Sequence, residues 1–158
     1  MRKRIILLIL IVLNLATIFF FSHQDSKASG KLSSDITNQI KVHTPHYAEK
    51  TEAQQKVVHT QTQYLIRGLA HGALFFCLGI LTFLFLQTFH IKWFWYFCNL
   101  PFGFLIALSD EIHQLYVPGR TFGWDDISYD MLGFSSGMFV VLILMLIFKL
   151  LHKKTVTK

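Results

Sequence analysis

The chain has 158 residues, 53% of them hydrophobic, with 16 phenylalanines and a formal net charge of +6. Its length suits one domain, residues 1–158, and an excess of Lys and Arg can signal nucleic-acid binding. The distribution excludes that reading. The apolar residues are gathered into blocks of about 20, the length that a ~30 Å hydrocarbon core demands of a helix. The chain therefore reads as an all-α polytopic membrane protein.

The first block, residues 5–21, is interrupted only by Asn14 and Thr17. "MRKR" ahead of it raises the question of a secretory signal. The run is long for a signal core, Ser26-Lys27-Ala28 is a weak cleavage site, and no cysteine follows to carry a lipid. A retained span is expected. Residues 22–68 then form a long outer loop. Within it Leu32, Ile36 and Ile40 recur at i, i+4 and i+8 behind Ser29, a candidate cap for a short interfacial helix that Pro45 ends. From Ala48 the sequence favours helix again and can run on into the second span. A flexible solvated loop is the competing reading.

Residues 69–89 and 91–108 form the second and third spans, joined by a tight turn at "HIK". The outer loop 109–130 leads to the fourth, 131–151, which carries no charge before Lys149. Cys77 and Cys98 fall inside spans at depths that differ by roughly 8 Å at ~1.5 Å per residue. That is too far for a disulfide, so both read as packing residues.

Charge sets the orientation, because short flanks rich in Lys and Arg stay cytoplasmic. With both termini inside, the inner side holds Arg2, Lys3, Arg4, Lys92, Lys149, Lys153, Lys154 and Lys158 and no acid. All nine acids then lie outside. Trp93, Trp95 and Tyr96 on the inner side and Trp124 on the outer suit aromatic belts. The expected architecture is a four-transmembrane-helix bundle in the cell membrane, N- and C-termini cytoplasmic, with a long outer loop between helices 1 and 2.

On this topology four polar stretches meet at one depth: "FSHQ" (21–24), "RGLAH" (67–71), "SDEIHQ" (109–114) and "DDISYD" (125–130). Charged groups there are costly, tend to face the bundle and pair, and are functional-site candidates. Asp110 shares a helical face with His113 and Gln114. Asp126 and Asp130 share another, continued by Gly133 and Gly137, a step that lets a neighbouring helix approach closely. Arg67 and Arg120, facing several carboxylates, can pair with them or clamp a phosphate or carboxylate on a ligand. "VPGR" (117–120) reads as a turn, with Pro118 presetting φ and Gly119 allowing a positive one. Asp126 and Asp130 at i and i+4 would repel if both were ionised, so Asp130 is expected to be neutral or paired with an arginine.

"SDEIHQLYVPGR" followed by "DDISYDMLGFSSG", with "FSHQ" and "RGLAH" before them, resembles the signature of the VanZ-like family of small bacterial membrane proteins. The likeness covers nearly the whole chain. That family takes its name from an accessory protein of glycopeptide-resistance clusters, so the resemblance implies a role at the cell envelope and in teicoplanin resistance, without naming a reaction. The functional residues it implies are Ser22, Gln24, Arg67, His71, Asp110, Glu111, His113, Gln114, Arg120 and Asp126. The chain departs from the pattern at His23, where a serine is common, and at Asp130, where asparagine is usual.

Three readings follow. An enzyme acting on a lipid-linked cell-wall precursor would use His113 or His71 as general base and Glu111 or Asp110 to orient it. Arg67 and Arg120, with Gln114, Ser22, Gln24, Asp126 and Asp130, would bind the substrate. A binding protein that shields an envelope lipid or the glycopeptide would use the same residues without turnover. The third is a transporter or scaffold, for which no broken helix or inverted repeat speaks. Membrane lipids are expected partners and nucleic acid is not. No cofactor or metal is expected, although Asp110-x-x-His113 with Asp126 is one conceivable chelate.

Overall fold

The computed structural model describes residues 1–24, 26–42, 47, 49–89, 91 and 96–156. Among these the chain forms five helices and no strand: α1 (Arg2–Ser22), α2 (Ser26–Val42), α3 (Glu52–Gln87), α4 (Asn99–Gln114) and α5 (Trp124–Val156). Three of them, α1, α3 and α5, are long and apolar enough to cross a membrane. The chain is an all-α membrane-type protein.

Local chemistry explains where each helix starts and stops. In α1 the Thr17 hydroxyl donates to the Leu13 carbonyl at 2.8 Å, so its polar group is satisfied within the helix. Thr51 opens α3 with a reciprocal capping box. Its hydroxyl accepts from the Gln54 N–H at 3.4 Å, and the Gln54 side chain accepts from the Thr51 N–H at 3.1 Å. From there α3 runs for 36 residues, roughly 54 Å at ~1.5 Å per residue, which is longer than any membrane requires. Its polar N-terminal part therefore projects beyond the apolar stretch.

Here the structure corrects two boundaries. Residues 22–68 are not a plain loop, because they contain α2 and nearly half of α3. α2 also begins at Ser26, so Ser29 lies inside the helix and does not cap it. The third span, expected at 91–108, begins as helix only at Asn99 and continues to Gln114. Pro101 accounts for the late start, since its missing N–H and its ring are tolerated only in the first turn of a helix. At 16 residues, or roughly 24 Å, α4 falls short of a full crossing. Three helices of crossing length are thus described where four were expected. The expected belt residues Trp93 and Trp95, with Lys92, lie outside the described residues.

α1, α3, α4 and α5 run in alternating directions. Arg4 at the start of α1 donates to the Thr88 carbonyl after α3 at 2.7 Å, and its guanidinium lies 4.3 Å above the Phe89 ring. Asn99 at the start of α4 donates to Thr82 near the end of α3 at 2.8 Å. Gln87 and Met145 meet at the same end. The opposite end gathers the end of α1, the end of α4 and the start of α5.

The most extensive packing joins α3 to α5. Gly133 and Gly137 make it possible, as their spacing suggested. A Cβ on Gly133 would strike the Gly72 carbonyl oxygen, and one on Gly137 the Phe76 carbonyl oxygen. Phe75, Leu78, Ala107 and Phe134 are fully buried around this seam. Ile5, Leu8, Phe139, Ile143 and Leu146 are exposed along the outer faces of α1 and α5, as lipid-facing residues should be. Cys77 and Cys98 are free and exposed, so they do not pack the core.

Candidate functional site

The four polar stretches converge at the end of the bundle away from Arg4. α1 delivers Ser22 there as its last residue, fully buried, and its hydroxyl donates to Asp110 Oδ2 at 2.8 Å. One turn on along α4, the Gln114 amide donates to the same oxygen at 3.1 Å and to Glu111 Oε1 at 2.9 Å. Glu111, also fully buried, accepts through Oε2 from the Gly123 N–H at 2.9 Å. Gly123 directly precedes α5, so this is a helix-start N–H that would otherwise lack a partner.

Arg120 closes the arrangement from above. Gly119 takes a φ of 77°, the turn expected of "VPGR", and brings Arg120 back over the helix ends. Its Nη1 donates to Gln114 Oε1 at 3.1 Å and its Nε to the Gln24 carbonyl at 3.3 Å. Burial lowers its pKa, and the nearby Arg67 charge adds to that, against the pull of Asp126, Asp110 and Glu111. Burial likewise pushes the Glu111 carboxyl up to about 7, opposed by the Gly123 N–H and Arg120 and aided by Asp126 and Asp110. Two arginines and several carboxylates therefore share one poorly solvated region, where unpaired charge is costly.

His71 on α3 lies 3.8 Å through Nδ1 from both Asp110 Oδ2 and Asp130 Oδ1. These are longer than hydrogen bonds. The donor atoms of the three side chains all lie within 4.8 Å of one another. Asp130 is fully buried, and among the described residues neither of its carboxylate oxygens has a hydrogen-bond partner. Among the described residues no arginine pairs with it, so of the two expected states the paired one is not found there.

Other expected partners stay apart. His113 does not hydrogen-bond Asp110 or Glu111 among the described residues. Its ring instead meets His23, with Nε2 of His113 3.3 Å from Nδ1 of His23, and stacks on Phe19 with centroids 4.2 Å apart. Asp126 sits in the first turn of α5, half-buried, with no hydrogen bond among the described residues. The Gln24 side chain and Arg67 likewise lack such bonds. Both line a cavity of about 260 Å³ with His71, Arg120, Phe21 and Ser33. The sequence did not single out Gly123, Phe19 or Ser33 for this region. Gly123 could have been suspected from its place before a helix; nothing marked the other two.

An α-helical membrane bundle with a buried polar cluster at one end is the class these observations define. A family model described as VanZ/LLP1 matches residues 5–148. The chain belongs to the VanZ/LLP1 family. No curated protein and no solved structure matches it.

Proposed function

We propose that this protein binds the phosphate-bearing headgroup of an envelope lipid at the outer face of the cytoplasmic membrane. The observation that carries the reading is the 260 Å³ cavity holding Arg67 and Arg120 together. Arg67 has no hydrogen bond or ion pair among the described residues, and two guanidiniums at one cavity suit a phosphate. The apolar faces of α1 and α5 supply the lipid environment in which the rest of such a ligand would lie. The charge pattern supports the orientation: the bases of "MRKR" and Lys149 lie at the end away from the cavity. The alternating directions of α1, α3, α4 and α5 would complete four crossings with both termini cytoplasmic.

Binding is favoured over turnover because the expected general-base pair is not assembled. His113 leans on His23 and His71 is beyond hydrogen-bond reach of either carboxylate. Shielding of an envelope lipid would be the route to the glycopeptide resistance that the VanZ-like resemblance implies. The test is titration of the purified protein with a short-chain polyprenyl phosphate and with inorganic pyrophosphate. Saturable binding that disappears in the Arg67→Ala, Arg120→Ala double variant is expected. Binding unaffected by both changes, or none by the wild type, would overturn the reading. Release of phosphate or of a shortened lipid during the titration would instead make the protein an enzyme.

A further inference from the structure

We propose that His71, Asp110 and Asp130 form a binding site for one divalent transition-metal cation of the zinc or manganese class. The three ligands come from three helices, α3, α4 and α5, and their donor atoms all lie within 4.8 Å of one another. A neutral imidazole and two carboxylates carry the charge that a divalent ion balances, and mixed nitrogen and oxygen donors suit zinc or manganese better than calcium or magnesium.

Asp130 is the observation that points to a ligand. The other two acids of the cluster are well supplied with donors: Asp110 accepts from Ser22 and Gln114, and Glu111 from Gln114 and Gly123. Asp130 is just as buried and has no hydrogen-bond partner on either oxygen among the described residues, which a folded protein tolerates poorly. His71 Nδ1 faces it at 3.8 Å, the same separation as from that nitrogen to Asp110. Such a gap is too wide for a hydrogen bond, but donor atoms 3.8 Å apart bound to one ion at roughly 2.1–2.2 Å subtend roughly 120–130° at it. Ser22 and Gln114 fix the Asp110 carboxylate as outer-shell donors fix metal ligands. With three protein ligands the ion keeps an open position, and His71 also lines the arginine cavity. The site differs from the chelate suggested by Asp110-x-x-His113, because His113 is turned to His23. It stands on its own residues whether or not the cavity takes a phosphate.

The experiment uses the full chain, purified in detergent, stripped with a chelator and titrated separately with Zn²⁺, Mn²⁺, Ca²⁺ and Mg²⁺. Bound metal is counted by elemental mass spectrometry. One equivalent of zinc or manganese should bind, and the unfolding temperature should rise with metal concentration. Asp130→Asn and His71→Gln should each weaken binding by at least the roughly 10–100-fold that even outer-shell partners contribute, while Asp125→Asn leaves it unchanged. Should Asp130→Asn fail to accumulate, X-ray absorption of the zinc-loaded wild type must show nitrogen and oxygen ligands, and sulfur would contradict the site. No stoichiometric binding by the wild type, unchanged affinity in both variants, loss in His113→Gln alone, or binding of calcium or magnesium only would each overturn the proposal.

Discussion

Arg2, Lys3, Arg4 and Lys149 lie toward one end of the bundle with their side chains exposed, whereas at the other end Asp110, Glu111 and Asp130 are all buried. The two ends handle charge by opposite means. At the basic end Arg4 reaches only a backbone carbonyl and an aromatic face, contacts worth little at an exposed position. At the acidic end the Ser22, Gln114, Gly123 and Arg120 donors are all committed to holding carboxylates or one another in place. Charge left on a surface orients a protein in the membrane. Charge taken out of water must be matched, and among the described residues one buried carboxylate, Asp130, is left without a hydrogen-bond partner.

The largest expected difference between the ends is in stability. Glu111→Ala leaves the Gly123 N–H and part of the Gln114 amide buried without an acceptor, and should lower unfolding stability by about 1–3 kcal/mol. Thermal unfolding in detergent measures this. Glu111→Gln keeps one acceptor oxygen and should recover part of the loss. Arg4→Ala, by contrast, should leave the unfolding midpoint unmoved, and a shift as large as that of Glu111→Ala would erase the contrast between the ends.

Next in size is an effect on orientation. Replacing Arg2, Lys3 and Arg4 together by Gln removes much of the positive bias at the first span, so a fraction of molecules should insert inverted. A cysteine at Lys154, labelled from outside intact cells, reports that fraction. In the otherwise unaltered chain it should stay unlabelled, while a cysteine at Tyr116 should label. The smallest effect is expected from Arg120→Ala on folding, about 1 kcal/mol for its hydrogen bonds to Gln114 and Gln24. Its effect on phosphate binding should nonetheless be larger, about 10- to 150-fold, since a charged hydrogen bond to a poorly solvated ligand contributes roughly 1.5–3 kcal/mol.

Much of this was legible in the sequence because it depends on periodicity. Apolar blocks gave α1, most of α3 and α5, and the Gly133–Gly137 step marked the seam on which α3 and α5 meet. The convergence of "FSHQ", "RGLAH", "SDEIHQ" and "DDISYD" followed from counting spans, and Ser22, His71, Asp110, Gln114 and Arg120 do meet. What was not legible depends on side-chain direction. His113 and Gln114 are neighbours on α4, yet Gln114 turns to Asp110 and Glu111 while His113 turns to His23. The Leu32–Ile36–Ile40 repeat did point to α2, but not to its facing: Ser33 and Thr37 are buried while Ile36 and Ile40 stay exposed, the reverse of what a soluble helix would show. A helix lying along a lipid surface can afford that arrangement. The start of α4 is not legible from hydropathy, because residues 91–108 are apolar apart from Lys92 and Asn99 and only Pro101, a first-turn residue, marks where the helix can begin.

The proposed division between a surface-charged end and an end that takes a ligand is tested most directly by native mass spectrometry of the protein purified with its own membrane lipids. The wild type should retain a phosphate-bearing lipid, and Arg4→Ala and Lys149→Ala should retain it equally. Arg67→Ala and Arg120→Ala should each reduce the bound fraction, and the double variant should abolish it. Retention of the same lipid by the double variant, or its loss on changing Arg4 or Lys149 instead, would contradict the account.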